Sequence, residues 1–97
     1  MIHSFANRGT EDIFEGIASK AARKVCPQQA WTKARRKLDD INQVRHYRDL
    51  RTPPSNKLHP LRGDREGQWA IAINDQYRIC FRWQGADAFD VEITDYH

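Results

Sequence analysis

The pattern of apolar positions predicts two helices, and the first lies near the N-terminus. Apolar residues at steps of three and four from Ile13 to Ala21 indicate an amphipathic helix. Thr10 is its expected N-cap, and Pro27 marks where the chain can no longer be helical. Residues 2–5 form a plausible short strand ahead of this helix.

A second apolar stripe predicts a longer helix over residues 30–49. Its members recur at helical spacing from Trp31 to Val44, as expected for a face packed in the core. Basic residues, Lys37 among them, are expected on the other faces of this helix. Prolines at 53 and 54 then break the chain.

Beyond residue 67 the apolar period changes from about three and a half to two, which indicates strands. Three strands are predicted, over residues 68–74, 77–83 and 89–94, with turns at 74–76 and 84–87. Phe89 is expected on the same face as the apolar residues that follow it, and Arg78 on the opposite, polar face. Because both helices have a stripe to bury, they are expected to cover the apolar face and to leave the Arg78 face open.

Length and composition are those of a single domain. At 97 residues, of which 39% are apolar, the chain is long enough for one modest core over residues 1–97. No apolar run is long enough to span a membrane and the N-terminus is unlike a signal peptide, so a cytoplasmic location is expected. Cys26 and Cys80 are expected to be reduced and structural, and the four histidines lack metal-ligand spacing. No metal and no cofactor is expected.

Charge is concentrated in one part of the chain. The net charge is +3, but residues 45–82 carry eight lysines and arginines against four acids. Such a region suits a polyanion such as RNA, although a solvated basic face would have the same composition.

A few polar residues fit the chemistry of RNA cleavage without a metal. Attack of a 2′-OH on its neighbouring phosphate needs a base, an acid and fixed positive charge. His97 is a candidate acid or base, and Arg78 a candidate clamp for the phosphate. Pairing of Arg78 with Asp90 or Glu92 across the sheet is the structural alternative. The other candidates are His59 as a second proton carrier, Tyr96 and Asp95 for stacking or orientation, and Lys57, Arg62, Arg65 and Arg82 for phosphate binding.

The loop at residues 57–69, the 76–79 segment and the closing Asp95-Tyr96-His97 resemble the HigB toxins, within the RelE-like group of bacterial type II toxin–antitoxin systems. The resemblance runs over nearly the whole chain. It implies an α+β RelE-like fold, with two N-terminal helices packed on one face of a small, mostly antiparallel β-sheet. It also implies an active site that includes His59, Arg62, Arg78, Asp95, Tyr96 and His97.

The activity implied by the resemblance is ribosome-dependent, metal-independent endonucleolytic cleavage of mRNA in the ribosomal A site. The implied partner is a HigA-like helix-turn-helix antitoxin, through which the complex would bind operator DNA. Two departures concern charge. Arg62 stands where the family loop often has lysine, which favours phosphate binding over proton transfer, and Asn74 stands near where some relatives carry an arginine.

Two other functions stay open at this point. A protein of this kind can bind RNA or the ribosome and block translation or ribosome assembly without cutting, because binding and catalytic arginines look alike in sequence. A ParE-like inhibitor of DNA gyrase shares the fold but lacks the terminal Asp-Tyr-His arrangement, which makes it the weaker alternative.

Overall fold

The computed structural model describes residues 1–96 and has a layer of helices packed on one face of an antiparallel sheet. The α-helices are α1 (Arg8–Glu15), α2 (Lys20–Val25) and α3 (Trp31–Gln43). The strands are β1 (His59–Pro60), β2 (Trp69–Ala72), β3 (Tyr77–Gln84) and β4 (Asp87–Asp95), in the order β1-β2-β3-β4. Short 3₁₀ turns occupy Gln28–Ala30, Tyr47–Arg51, Pro54–Asn56 and Gly63–Arg65. The predicted α+β class is confirmed.

The first predicted helix is two helices, which corrects the sequence prediction. Gly16 ends α1 in the left-handed conformation (φ 78°), and α2 begins four residues later with Ser19 as its N-cap. The N-cap of α1 is Asn7, whose Oδ1 accepts from the Thr10 N–H, so Thr10 is not the cap. Thr10 is fully buried, and its Oγ1 accepts a hydrogen bond from the Ile93 N–H (3.1 Å), which links α1 to β4.

The second helix is shorter than predicted but buries the predicted stripe. It ends at Gln43, because Val44 is extended, and a 3₁₀ turn replaces the last part of the expected helix. Ala34, Leu38 and Ile41 are completely buried against the inner face of β2, β3 and β4. The main core cluster therefore lies between the helix layer and the sheet.

The last strand departs from strict alternation, which corrects the predicted position of Phe89. At a β-bulge in β4, two residues, Asp90 and Val91, lie opposite the single residue Phe81 of β3. Asp90 has a positive φ of 53° there. Ala88 consequently enters the core, while Phe89 pairs with Arg82 on the outer face of the sheet. N-terminal residues 2–5 lie parallel to this strand through two isolated bridges.

The outer face is not fully open. Leu61 folds over Ala70 and Cys80 to make a small second cluster, so the loop after β1 covers the middle of this face. The end of the face that carries Arg78 stays outside this cluster. No helix within residues 1–96 is long and apolar enough to cross a membrane.

Candidate functional site

A cleft of about 440 Å³ opens where the short edge strand, the β2–β3 turn and Tyr96, directly after β4, meet. Its lining consists of Lys57, His59, Asn74, Asp75 and Tyr96. Antiparallel pairing produces this convergence, because the start of β1, the end of β2 and the end of β4 all lie at the same end of the sheet.

Arg78 lies at this end of the outer face, between two small partners. Its register partners are Ala72 on β2 and Thr94 on β4. The guanidinium Nε donates a long hydrogen bond to Thr94 Oγ1 (3.4 Å), and the guanidinium carbon lies 5.2 Å from the centre of the Tyr96 ring. Within residues 1–96 Arg78 makes no ion pair. The structural alternative, a cross-strand pair with Asp90 or Glu92, is therefore absent from this part of the chain.

Those two acids pair with other arginines. Arg65 Nη1 donates to Glu92 Oε1 at 3.0 Å, and this hydrogen bond, the largest cause, raises the pKa of Arg65 above its ordinary value. Arg82 Nε lies 3.6 Å from Asp90 Oδ2. Both arginines were predicted to bind phosphate, but each has a carboxylate that offsets its charge. Arg78 is the half-buried cation of this face without such a partner among residues 1–96.

The backbone sets the tautomer of His59. Its Nδ1 is 2.7 Å from the Lys57 carbonyl oxygen, and a carbonyl only accepts, so Nδ1 carries the proton. In the neutral imidazole the lone pair is then on Nε2. The register with Ala70 directs the side chain of His59 to the outer face, the same face as Arg78.

Tyr96 lies beside the Arg78 guanidinium with its ring partly buried. Burial raises the pKa of its phenol, and this effect exceeds the opposing effect of Arg78. The hydroxyl therefore stays protonated near neutral pH and is available as a hydrogen-bond donor. The Tyr96 N–H donates to the Gln76 carbonyl at 2.7 Å, which fixes the backbone here against the β2–β3 turn.

Asp95 is directed away from Arg78. It pairs with Tyr77, whose side chain packs against the core, so its own side chain projects to the helix side of the sheet. Its Oδ2 accepts from Gln76 Nε2 at 3.1 Å. The described residues therefore do not bring Asp95 and Arg78 together. His97, the predicted acid or base, lies outside the described residues.

The two departures from the family pattern have different surroundings. Arg62 is exposed, at the start of the Gly63–Arg65 turn, and makes no ion pair within residues 1–96. The Asn74 carboxamide is used by the turn, because its Oδ1 accepts from the N–H groups of Gln76 (2.9 Å) and Tyr77 (2.8 Å). Asn74 is therefore held as a wall of the cleft.

One residue that the sequence reasoning placed on an exposed helix face is buried. Lys37 is 6% exposed and its Nζ donates to Asn56 Oδ1. It falls three residues after Ala34 and four before Ile41, within the buried stripe of α3. A lysine at that spacing was the available signal, and the prediction that Lys37 lies away from the core is wrong.

Solved structures of other bacterial proteins share this fold. YafQ from E. coli superposes with a TM-score of 0.63, covering 99% of this chain and 94% of that one at 14% sequence identity. A YoeB/ParE toxin from Agrobacterium tumefaciens gives a TM-score of 0.52 over the full length of both chains at 20% identity. At these identities the likeness defines the fold class alone.

Sequence comparison identifies the family within that class. The family of HigB-like toxins, described as RelE-like toxins of type II toxin–antitoxin systems, matches residues 3–97. Endoribonuclease HigB from Proteus vulgaris is 35% identical over 98 residues, covering 100% of both chains. Toxin HigB-1 from Vibrio cholerae is 40% identical over 48 residues, half of each chain. The chain belongs to the HigB-like toxin family, as the resemblance predicted.

Proposed function

We propose that this protein is an endoribonuclease that cuts mRNA in the ribosomal A site, by metal-independent attack of a 2′-OH on the adjacent phosphate. The observation that carries the proposal is the half-buried guanidinium of Arg78, which has no ion-pair partner among residues 1–96 and lies 5.2 Å from the centre of the Tyr96 ring. A phosphorane needs such a charge fixed in advance, since no reorganisation is then required as charge develops. The Proteus vulgaris relative is named an endoribonuclease, which supports the same activity here.

Proton transfer is assigned to the imidazoles. His59 has Nε2 available and its Nδ1 proton committed to the Lys57 carbonyl, an arrangement suited to a general base. His97 is the proposed second proton carrier. Tyr96, protonated near neutral pH, can donate to a phosphate oxygen or stack on a base. Lys57 and Arg62 are proposed to bind neighbouring phosphates, with weaker contributions from Arg65 and Arg82, which carry carboxylate partners.

Asp95 receives an indirect role in this proposal. Its side chain lies on the helix side of the sheet and bonds to Gln76, whose carbonyl in turn accepts from the Tyr96 N–H. We therefore assign Asp95 to positioning the end of the chain rather than to contact with the RNA.

Dependence on the ribosome is part of this proposal, and the shape of the site supports it. The cleft lies at an edge of the sheet and is open to solvent. Orientation of the strand by the ribosome can supply several kcal/mol of barrier lowering, so naked RNA should be a poor substrate.

The proposed partner is a HigA-like helix-turn-helix antitoxin, with operator DNA bound through the complex, and the proposed location is the cytoplasm.

The test is to map the 5′ ends of transcripts after the toxin is induced in cells. New ends confined to translated regions, which disappear when the start codon of a reporter message is destroyed, would support A-site cleavage. Growth arrest with intact messages would support the non-cleaving alternative instead. Arrest with double-strand DNA breaks and intact messages would indicate a gyrase inhibitor.

A further inference from the structure

A second, smaller cleft adjoins the one that contains His59 and Tyr96. Its volume is about 180 Å³, and it lies between α3, the Pro54–Asn56 turn and the end of β2. Lys57, Asn74 and Asp75 line both clefts, so the two share a wall. The remaining lining residues are Lys33, Lys37, Ser55, Ala72 and Ile73.

The distinctive group in this smaller cleft is Lys37. The residue is 6% exposed, and within residues 1–96 its ammonium makes one hydrogen bond, to Asn56 Oδ1, and no ion pair. Asn56 is completely buried, and its Nδ2 donates to the carbonyls of Leu50 (3.0 Å) and Thr52 (3.5 Å). Those bonds fix the amide with its oxygen toward Lys37, so the ammonium is held in place by a rigid acceptor.

A buried ammonium without a counter-ion among residues 1–96 is unusual, because removing a charge from water is unfavourable unless an opposite charge is close to it. Its three N–H donors exceed the single acceptor that the described residues supply. Burial lowers the pKa of Lys37, with Lys33 and Arg36 acting in the same direction and Asp40 opposing them. Three lysines line the cleft against one carboxylate, Asp75, so its potential is positive.

We infer that Lys33, Lys37 and Lys57 form a second phosphate subsite, which binds the RNA backbone one nucleotide step from the scissile bond. The inference rests on the proposed function, since it requires an RNA strand in the adjoining cleft. A phosphodiester supplies the acceptor oxygens and the negative charge that the Lys37 ammonium lacks. Lys57, which lines both clefts, is the group between the two phosphates. The subsite would thus set the direction and register of the strand before cleavage.

The test is an NMR titration of the isotope-labelled protein with an RNA trinucleotide whose first and second nucleotides are 2′-deoxy, so that neither phosphodiester has the neighbouring 2′-OH needed for cleavage. The expected result is a saturable shift of the Lys33 and Lys37 Cε–Hε signals together with those of Tyr96. Lys24, exposed on α2, is the matched control and should not move. Shifts of Tyr96 with Lys37 unmoved would overturn the subsite and leave the proposed function standing, as would equal shifts of Lys24 and Lys37.

Variants give an independent readout. For Lys33→Ala and Lys37→Met, the slope of log K against log salt for the same trinucleotide should become less steep by about 0.7 for each phosphate that the variant no longer neutralises. Lys33 is exposed, so its variant remains informative if Lys37→Met fails to fold. An unchanged slope in Lys33→Ala, and in any folded Lys37→Met, would overturn the subsite. If the wild-type protein does not cleave mRNA on ribosomes, that result would instead contradict the proposed function.

Discussion

Replacement of Arg78 by alanine separates a catalytic charge from a structural one. In the folded protein Arg78 makes one long hydrogen bond to Thr94 and a cation–π contact with Tyr96, and no ion pair within residues 1–96. Removal of these interactions should lower the free energy of unfolding by about 1–2 kcal/mol. Removal of a preorganised transition-state interaction should slow cleavage about 100- to 1,000-fold, or about 2.7–4 kcal/mol of barrier. The predicted effect on rate is thus larger than that on stability.

The assay is single-turnover cleavage of a defined message on programmed ribosomes, with the melting temperature measured in parallel. Arg23→Ala is the matched control, because Arg23 is an exposed arginine on α2, in the helix layer. It should cleave at the wild-type rate. Relief of growth arrest with antitoxin affinity almost unchanged should accompany the loss of rate in Arg78→Ala. Cleavage by Arg78→Ala within about threefold of wild type would refute the role of the charge, since a factor of ten already corresponds to about 1.4 kcal/mol.

Three further predictions concern the site and its support. Tyr96→Phe should keep most of the cleavage activity if the ring stacks on a base, and should lose it if the hydroxyl donates a proton. Tyr96→Ala should cleave slowly in either case, and a wild-type cleavage rate for Tyr96→Ala would exclude both roles. Thr10→Val should lower the free energy of unfolding by about 1–3 kcal/mol, because it leaves the Ile93 N–H without its acceptor. The control Thr32→Val, at an exposed position, should have the melting temperature of wild type, and equal melting temperatures for the two variants would contradict the assigned hydrogen bond. Burial lowers the pKa of Lys37 in the folded protein below its ordinary 10.5, so between the folded and unfolded pKa values the unfolded chain binds more protons. The unfolding free energy of wild type relative to Lys37→Met should therefore rise with pH in that window. If urea unfolding gives a difference that is flat or falls with pH, the buried charge is contradicted.

Periodicity predicted the inner face of the fold well, because burial is what periodicity measures. The α3 stripe and the alternation along β3, with Ile79 and Phe81 inward and Arg78 and Cys80 outward, are confirmed. The break after α1 was missed, since the apolar spacing continues through Gly16 and only a positive φ ends the helix there.

The orientation of single side chains was harder to predict. A bulge adds one residue to a strand, so the side chains beyond it change to the opposite face of the sheet. Phe89 therefore points to the outer face, although its spacing from Val91 indicated the core. Strand register and loop position also decide which arginine pairs with which acid. Arg65 pairs with Glu92 and Arg82 with Asp90, the two acids that the sequence offered as partners for Arg78. Local spacing carries no information about such pairings between distant segments.

The most direct test of the proposed mechanism is cleavage of a message that carries a single 2′-deoxynucleotide immediately 5′ to a mapped cut site, on programmed ribosomes. If the nucleophile is the 2′-OH of the RNA itself, that position should not be cut, while an identical all-ribose message is cut and ends in a 2′,3′-cyclic phosphate. Cleavage of the deoxy-substituted message at the same bond would contradict attack by the 2′-OH.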